Sequence, residues 1–199
     1  MIRFNTIVVA VLLALVAGQA FGKDKDQKPK EKDKNILRIL TPKTVFVTSE
    51  QFAGSLGGLG GADAKCQAAA DAAGLGGTFM AWLSDEDSTA AERFKTLALG
   101  PYIDTKGATV AGGWGDLTDG TLNAPIMHDE NGDDRSNSSV WTGTEANGSG
   151  ASTNCQNWTS ASAAVNGTDG VSDQVNDGWT NRAGEFDCAA FRRLYCFEQ

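Results

Sequence analysis

Among 199 residues there is one histidine, His128, so no His-Glu-x-x-His metal helix exists in this chain. A Gly-x-Ser-x-Gly nucleophile elbow and a phosphate-binding loop are also missing, which removes two common catalytic scaffolds. Proline is scarce, with four residues, and none follows Pro125. Basic side chains are few. From Val45 onward eight Lys and Arg stand against 21 Asp and Glu, a balance of −13. Recognition of phosphate or sulfate needs clustered Lys and Arg, so nucleic acid, heparin-like polyanions and acidic membrane faces are excluded as partners. After residue 22 no apolar run approaches the roughly 20 residues of a membrane-spanning helix.

What is present begins with an export signal. Arg3 precedes an almost wholly apolar stretch from Ile7 to Val16, and small residues follow, so residues 1–22 read as a signal peptide cleaved after Ala20 or Gly22. No cysteine lies at that junction to carry a lipid. Residues 23–44 read as a charged, disordered linker, because Lys23 to Lys34 contains nothing apolar to bury. Residues 45–199 are then one domain of ordinary size. Its four cysteines are Cys66, Cys155, Cys188 and Cys196. An even count in an exported chain reads as a disulfide framework, with three pairings possible. The x7 spacing of Cys188 and Cys196 is too long for a zinc ligand pair.

Local patterns suggest mixed structure. Ile36–Ile39 and Val45–Thr48 read as strands, and the run Gly57–Gly61 as a break. Ala62, Cys66, Ala69, Ala70 and Ala73 fall on one helical face, with Gly74 ending the helix. The small side chains on that face imply close packing on a sheet. Thr78–Leu83 reads as a buried strand. Thr89-Ala-Ala-Glu92 is a capping box opening a second short helix with Phe94 and Leu97 on its apolar side. Residues 104–138 and 166–187 read as long irregular segments with turns at Asp119-Gly120 and Asn131-Gly132. Val140–Thr142, Cys155–Thr159 and Phe191–Phe197 read as strands, with a turn at Asn147-Gly148.

The order of motifs then carries a resemblance. Gly61-Ala62-Asp63, Cys66-Gln67, Ala73-Gly74-Leu75 and Gly77-Thr78-Phe79-x-Ala81-Trp82-Leu83-Ser84 are followed by Val140-Trp141-Thr142-Gly143, Cys155-x-x-Trp158 and Cys188-x7-Cys196. This order resembles the endostatin domains of collagens and, more closely, a bacterial secreted family of unknown function in the C-type-lectin-like superfamily. It spans Val45 to Gln199. The resemblance implies an α+β fold in which two helices flank a small, mainly antiparallel sheet with long irregular loops. The first and last strands would lie side by side, with nested disulfides Cys66–Cys196 and Cys155–Cys188.

The functional sites of the superfamily do not all carry over. The calcium–sugar loop needs a proline after Pro125, and the Trp-Asn-Asp element is reduced to Trp179-Thr180-Asn181. Heparin binding would need more than Arg192-Arg193, which as neighbours on a strand point to opposite faces. Two candidate sites remain. Asp129, Asn131, Asp133 and Asp134 offer part of the six to eight oxygens that calcium takes, against the reading of a solvated turn. Of five tryptophans, Trp82, Trp141 and Trp158 sit in strand patterns and read as core. Trp114 and Trp179 lie in glycine-rich loops as candidate ligand-stacking platforms. His128 reads as a surface residue, and no carboxylate pair stands out for hydrolysis. The expectation is a secreted, periplasmic or cell-surface binding module, not an enzyme, for a glycan or protein ligand. The alternatives are an exported enzyme acting on polysaccharide and a structural envelope or assembly protein.

Overall fold

The structure is a computed structural model that describes residues 41–94 and 100–199. The expected signal peptide, the expected linker as far as residue 40, the strand expected at Ile36–Ile39, and Leu97 lie outside the described residues. The elements, in chain order, are β1 (Lys43–Val47), α1 (Gly58–Ala72), β2 (Phe79–Ala81), α2 (Ala90–Arg93), β3 (Tyr102–Asp104), β4 (Thr109–Ala111), α3 (Trp114–Leu117), β5 (Ser139–Trp141), β6 (Asn166–Gly167), β7 (Asp169–Val171), a 3-10 turn (Asp177–Trp179), β8 (Phe186–Asp187) and β9 (Arg193–Glu198). The architecture is α+β. Strand β1 begins two residues before the boundary expected at Val45.

A seven-stranded sheet runs β4-β3-β1-β9-β5-β7, with β2 also paired to β9. Most of its pairings are antiparallel; β1–β3 and β5–β9 are parallel. The last strand is the centre of the molecule. Val45–Val47 pairs with Phe197–Tyr195, and Phe79–Ala81 with Glu198–Cys196, so both ends of the domain meet there. Both faces of the sheet are covered. Tyr195 and Phe197 join Val45, Val47, Trp82 and Trp179 in one core, while Leu194 and Cys196 join Phe46, Phe79, Ala81 and Trp141 in the other. Burial on both faces explains why Val45-Phe46-Val47 is apolar without alternation.

Helix α1 lies on the second face and buries Ala62, Cys66 and Ala70, one residue per turn, as the small-residue spacing predicts. It starts at Gly58, however, so the glycine run does not break structure. A Cβ at Gly61 would stand 2.2 Å from the Leu56 carbonyl oxygen. The chain entering the helix passes that close, and only glycine admits it. At the other end Gly74, with φ 73°, donates to the Asp71 carbonyl, while Leu75 donates to Ala70. This is a Schellman closure. Asp63 and Gln67, one turn apart, accept the N–H groups of Ala81 and Phe79, so the helix also satisfies the open side of β2.

The second helix is shorter than expected. The Thr89–Glu92 capping box is present, but α2 is a single turn and Phe94 is already extended. The other helix of the expected flanking pair is therefore a single turn. The segments expected to be irregular hold β4, β6, β7 and β8. Each is two or three residues long, too short to carry a periodic signal, and exists because a partner strand pairs with it. The strand expected at Cys155–Thr159 is instead a left-handed turn: Cys155, Gln156, Asn157 and Trp158 have φ of 52°, 54°, 54° and 60°. Its amide groups bond back in helical fashion, Trp158 to Asn154 and Thr159 to Cys155. Both disulfides implied by the resemblance are present. Cys66–Cys196 ties α1 to β9, and Cys155–Cys188 ties the left-handed turn to the segment before β9.

Candidate functional site

Trp82, Trp141 and Trp158 are fully buried, and so is Trp179. That corrects one expected platform. The 3-10 turn drops the Trp179 indole between the rings of Trp82 and Tyr195, with centroids 5.1 and 5.6 Å away. A loop tryptophan has here become core, because a domain this rich in loops has few other large apolar groups to fill the space under them. Trp114 alone among the five is half-buried. Its ring leans on Trp82 at 6.0 Å and on Phe94 at 6.3 Å. The indole edge reaches the 145–149 turn, where its Cζ2 stands 3.4 Å from the position of a Gly148 Cβ.

Two carboxylates belong to the segments that meet at Trp114. On its own turn Asp116 accepts from the Gly112 N–H and the Asn123 side-chain amide, each at 2.5 Å. In the opposite turn Glu145 accepts from the Asn181 amide at 2.8 Å, and its carbonyl accepts from the Gly148 N–H. Among the described residues no Lys or Arg pairs with either carboxylate.

Residues 128–135 form a tight hairpin that does not present a calcium site. Asp129 is buried. Its Oδ1 accepts the N–H groups of Asn131 and Asp133, and its Oδ2 accepts from Arg135 at 2.8 Å. Burial pushes the Asp129 carboxyl up, but the N–H groups of Asp133 and Asn131 and the Arg135 guanidinium outweigh it and hold the group below the usual carboxylate range. Asp133 projects into solvent, and Asp134 accepts the Ser136 N–H. Among the described residues no group of three or more His, Cys, Asp and Glu is placed to hold a metal ion. The acidic run is therefore a turn that caps its own backbone, and the calcium expectation falls with it.

The same hairpin contains a pair that sequence reading missed. His128 lies beside Asp129 in the chain, yet its Nδ1 is 2.6 Å from Oδ2 of the buried Asp104. The other oxygen of Asp104 accepts the N–H groups of Lys106 and Ala108. A carboxylate only accepts, so Nδ1 carries the proton and Nε2 is left as the acceptor. The separation of 24 residues gave no sequence signal for the pair.

No protein-family model matches this chain, and no curated protein matches it.

Arg192 and Arg193 do point to opposite faces. Arg192 stacks between the rings of Trp141 and Phe186 at 4.5 and 4.9 Å and meets Asp169. Arg182 covers the other side of Phe186 and makes a two-pronged contact with Asp169. Arg193 donates to the carbonyls of Thr48 and Ser49. Each of these guanidiniums is thus committed inside the fold. Among the described residues no helix is long and apolar enough to cross a membrane, and paired cysteines fit an oxidising compartment.

Proposed function

We propose that this chain is a secreted or surface-exposed binding module of the C-type-lectin-like kind, without catalytic activity, whose ligand is a glycan or a protein. Trp114 is the observation that carries the reading. It is the one tryptophan that is not sealed in the core, and buried aromatic rings brace it where the start of α3 meets the 145–149 turn. Rigid, amphipathic aromatic groups on loops give contact area at little entropic cost, which suits recognition. Glycan arrays probed with the mature chain, with and without a chelator, test the reading. Binding that a chelator leaves intact is expected. Absence of binding to any glycan, together with failure to capture a surface protein from the native envelope, removes it.

One observation favours a different class. A buried carboxylate that fixes an imidazole tautomer is the arrangement by which His128 can take a proton. An exported enzyme acting on polysaccharide is the corresponding alternative. Turnover of pooled polysaccharides that is lost in both His128→Asn and Asp104→Asn, with the folded state unchanged, would establish it over the binding reading.

A further inference from the structure

We infer that Trp114, Asp116 and Glu145 form a binding site for a glycan that carries free, protonated amines. The inference rests on the binding-module reading and gives it a place and a ligand chemistry. Three observations converge on it.

The first is the aromatic platform already described, half-buried and braced by Trp82 and Phe94. An ammonium held near an indole face is attracted by the ring quadrupole, and tryptophan is the strongest of the aromatic side chains in this respect.

The second is negative charge near the ring that no Lys or Arg among the described residues pairs with. Asp116 is two residues along the same turn, and its donors among the described residues are the neutral N–H of Gly112 and the neutral amide of Asn123. Glu145 belongs to the turn that touches the Trp114 edge, and its donor is the neutral Asn181 amide. Neutral donors orient a carboxylate without cancelling its charge, so both groups remain able to attract a cation. Elsewhere in the fold the buried carboxylates Asp129 and Asp169 do have arginine partners.

The third is the long-range field. With 21 acidic and eight basic side chains from Val45 onward, the domain repels uronate and sulfated chains and draws in polycations. Amide and carboxylate groups beside a stacking ring also match the hydroxyls of a sugar, which a simple polyamine does not offer.

The test uses the mature chain with four probes: a glucosamine hexamer, its fully N-acetylated counterpart, a polygalacturonate oligomer and an oligolysine peptide. The glucosamine hexamer is expected to bind best, and its affinity to fall with added salt. Trp114→Ala is expected to weaken it by about tenfold, and Trp114→Phe by less. Asp116→Asn and Glu145→Gln are each expected to weaken the glucosamine hexamer while leaving the N-acetylated hexamer unchanged. Urea denaturation of every variant separates lost folding from lost binding, and the two isosteric variants keep the test open if Trp114→Ala does not fold. Equal binding of the acetylated and free-amine hexamers overturns the charge argument. Preference for oligolysine over the glucosamine hexamer overturns the glycan assignment. Glycan binding that survives all four substitutions refutes this site while leaving the binding-module reading intact, whereas absence of binding to every glycan refutes both.

Discussion

Removing either disulfide by a pair of alanine substitutions tests how this loop-heavy domain is held. Cys66–Cys196 spans 130 residues of sequence and Cys155–Cys188 spans 33. Loop-closure entropy puts the losses at about 5 and about 4 kcal/mol, taken as upper values. All four cysteines are fully buried, so the cavity left by two sulfurs is similar in both variants and largely cancels in the difference. Loop length alone then separates them by about 1 kcal/mol. The left-handed turn should widen the gap. Each of Cys155, Gln156, Asn157 and Trp158 has positive φ, at about 1–2 kcal/mol per non-glycine residue. Once the bridge to Cys188 is gone, the chain can leave that geometry and recover part of the strain, which offsets some of the lost cross-link. The expected order is Cys66→Ala/Cys196→Ala less stable than Cys155→Ala/Cys188→Ala by about 1–3 kcal/mol. Equilibrium urea denaturation with linear extrapolation measures it, provided the slopes are compared as well. Gln156→Gly supplies a control: it should stabilise the bridged protein more than the unbridged one. Equal losses, or a larger loss for the Cys155/Cys188 variant, would refute the reasoning.

Two titrations follow from buried groups. Burial pushes Tyr102 up to about 12, and burial followed by the charges of Asp169 and Asp173 pushes Tyr195 well above the ordinary value too. These are the only tyrosines. Folded protein should therefore show no tyrosinate absorbance near the ordinary value of about 10. The stability they contribute is whole below about pH 10 and declines as pH rises from there toward the folded values. Tyrosinate appearing at the ordinary value while the fold persists would contradict this. Asp129 runs the other way. Its carboxyl is held below the usual range by N–H groups and Arg135, against the effect of burial. Its contribution is whole above about pH 4 and disappears as pH falls through the lower folded value. Asp129→Asn should cost about 1–3 kcal/mol at neutral pH, judged by denaturation, and the difference from the parent should shrink in acid. A difference that stays constant down to low pH would show that Asp129 acts through shape alone.

Contacts close in sequence were legible from the residues. The helix over Ala62–Ala73, its end at Gly74 and the Thr89–Glu92 box rest on contacts within four residues, and each appears as the pattern requires. The strand at Val45–Val47 and the final strand were legible too, because a strand buried on both faces must be apolar throughout. The candidate sites were less so. Asp129 and its neighbours read as ligands because carboxylates were counted without their donors, and those donors are mostly the hairpin's own backbone. Trp114 and Trp179 sit in similar glycine-rich contexts, and nothing local tells which of them falls into the core.

Composition and local pattern settled the acidic character of the chain, one helix and the outermost strands of its domain, since each depends on composition or on residues within a turn or two of one another. The folded arrangement alone decided that Gly58–Gly61 is helical, that Cys155–Trp158 coils to the left, that Trp179 is buried while Trp114 is not, and that His128 pairs with Asp104. Most of these outcomes turn on surfaces that meet across long stretches of chain: Cys188 on Cys155, Tyr195 under Trp179, Asp104 against His128. Backbone geometry and burial at such places are set by what the rest of the molecule leaves room for, and no short window of sequence contains that information.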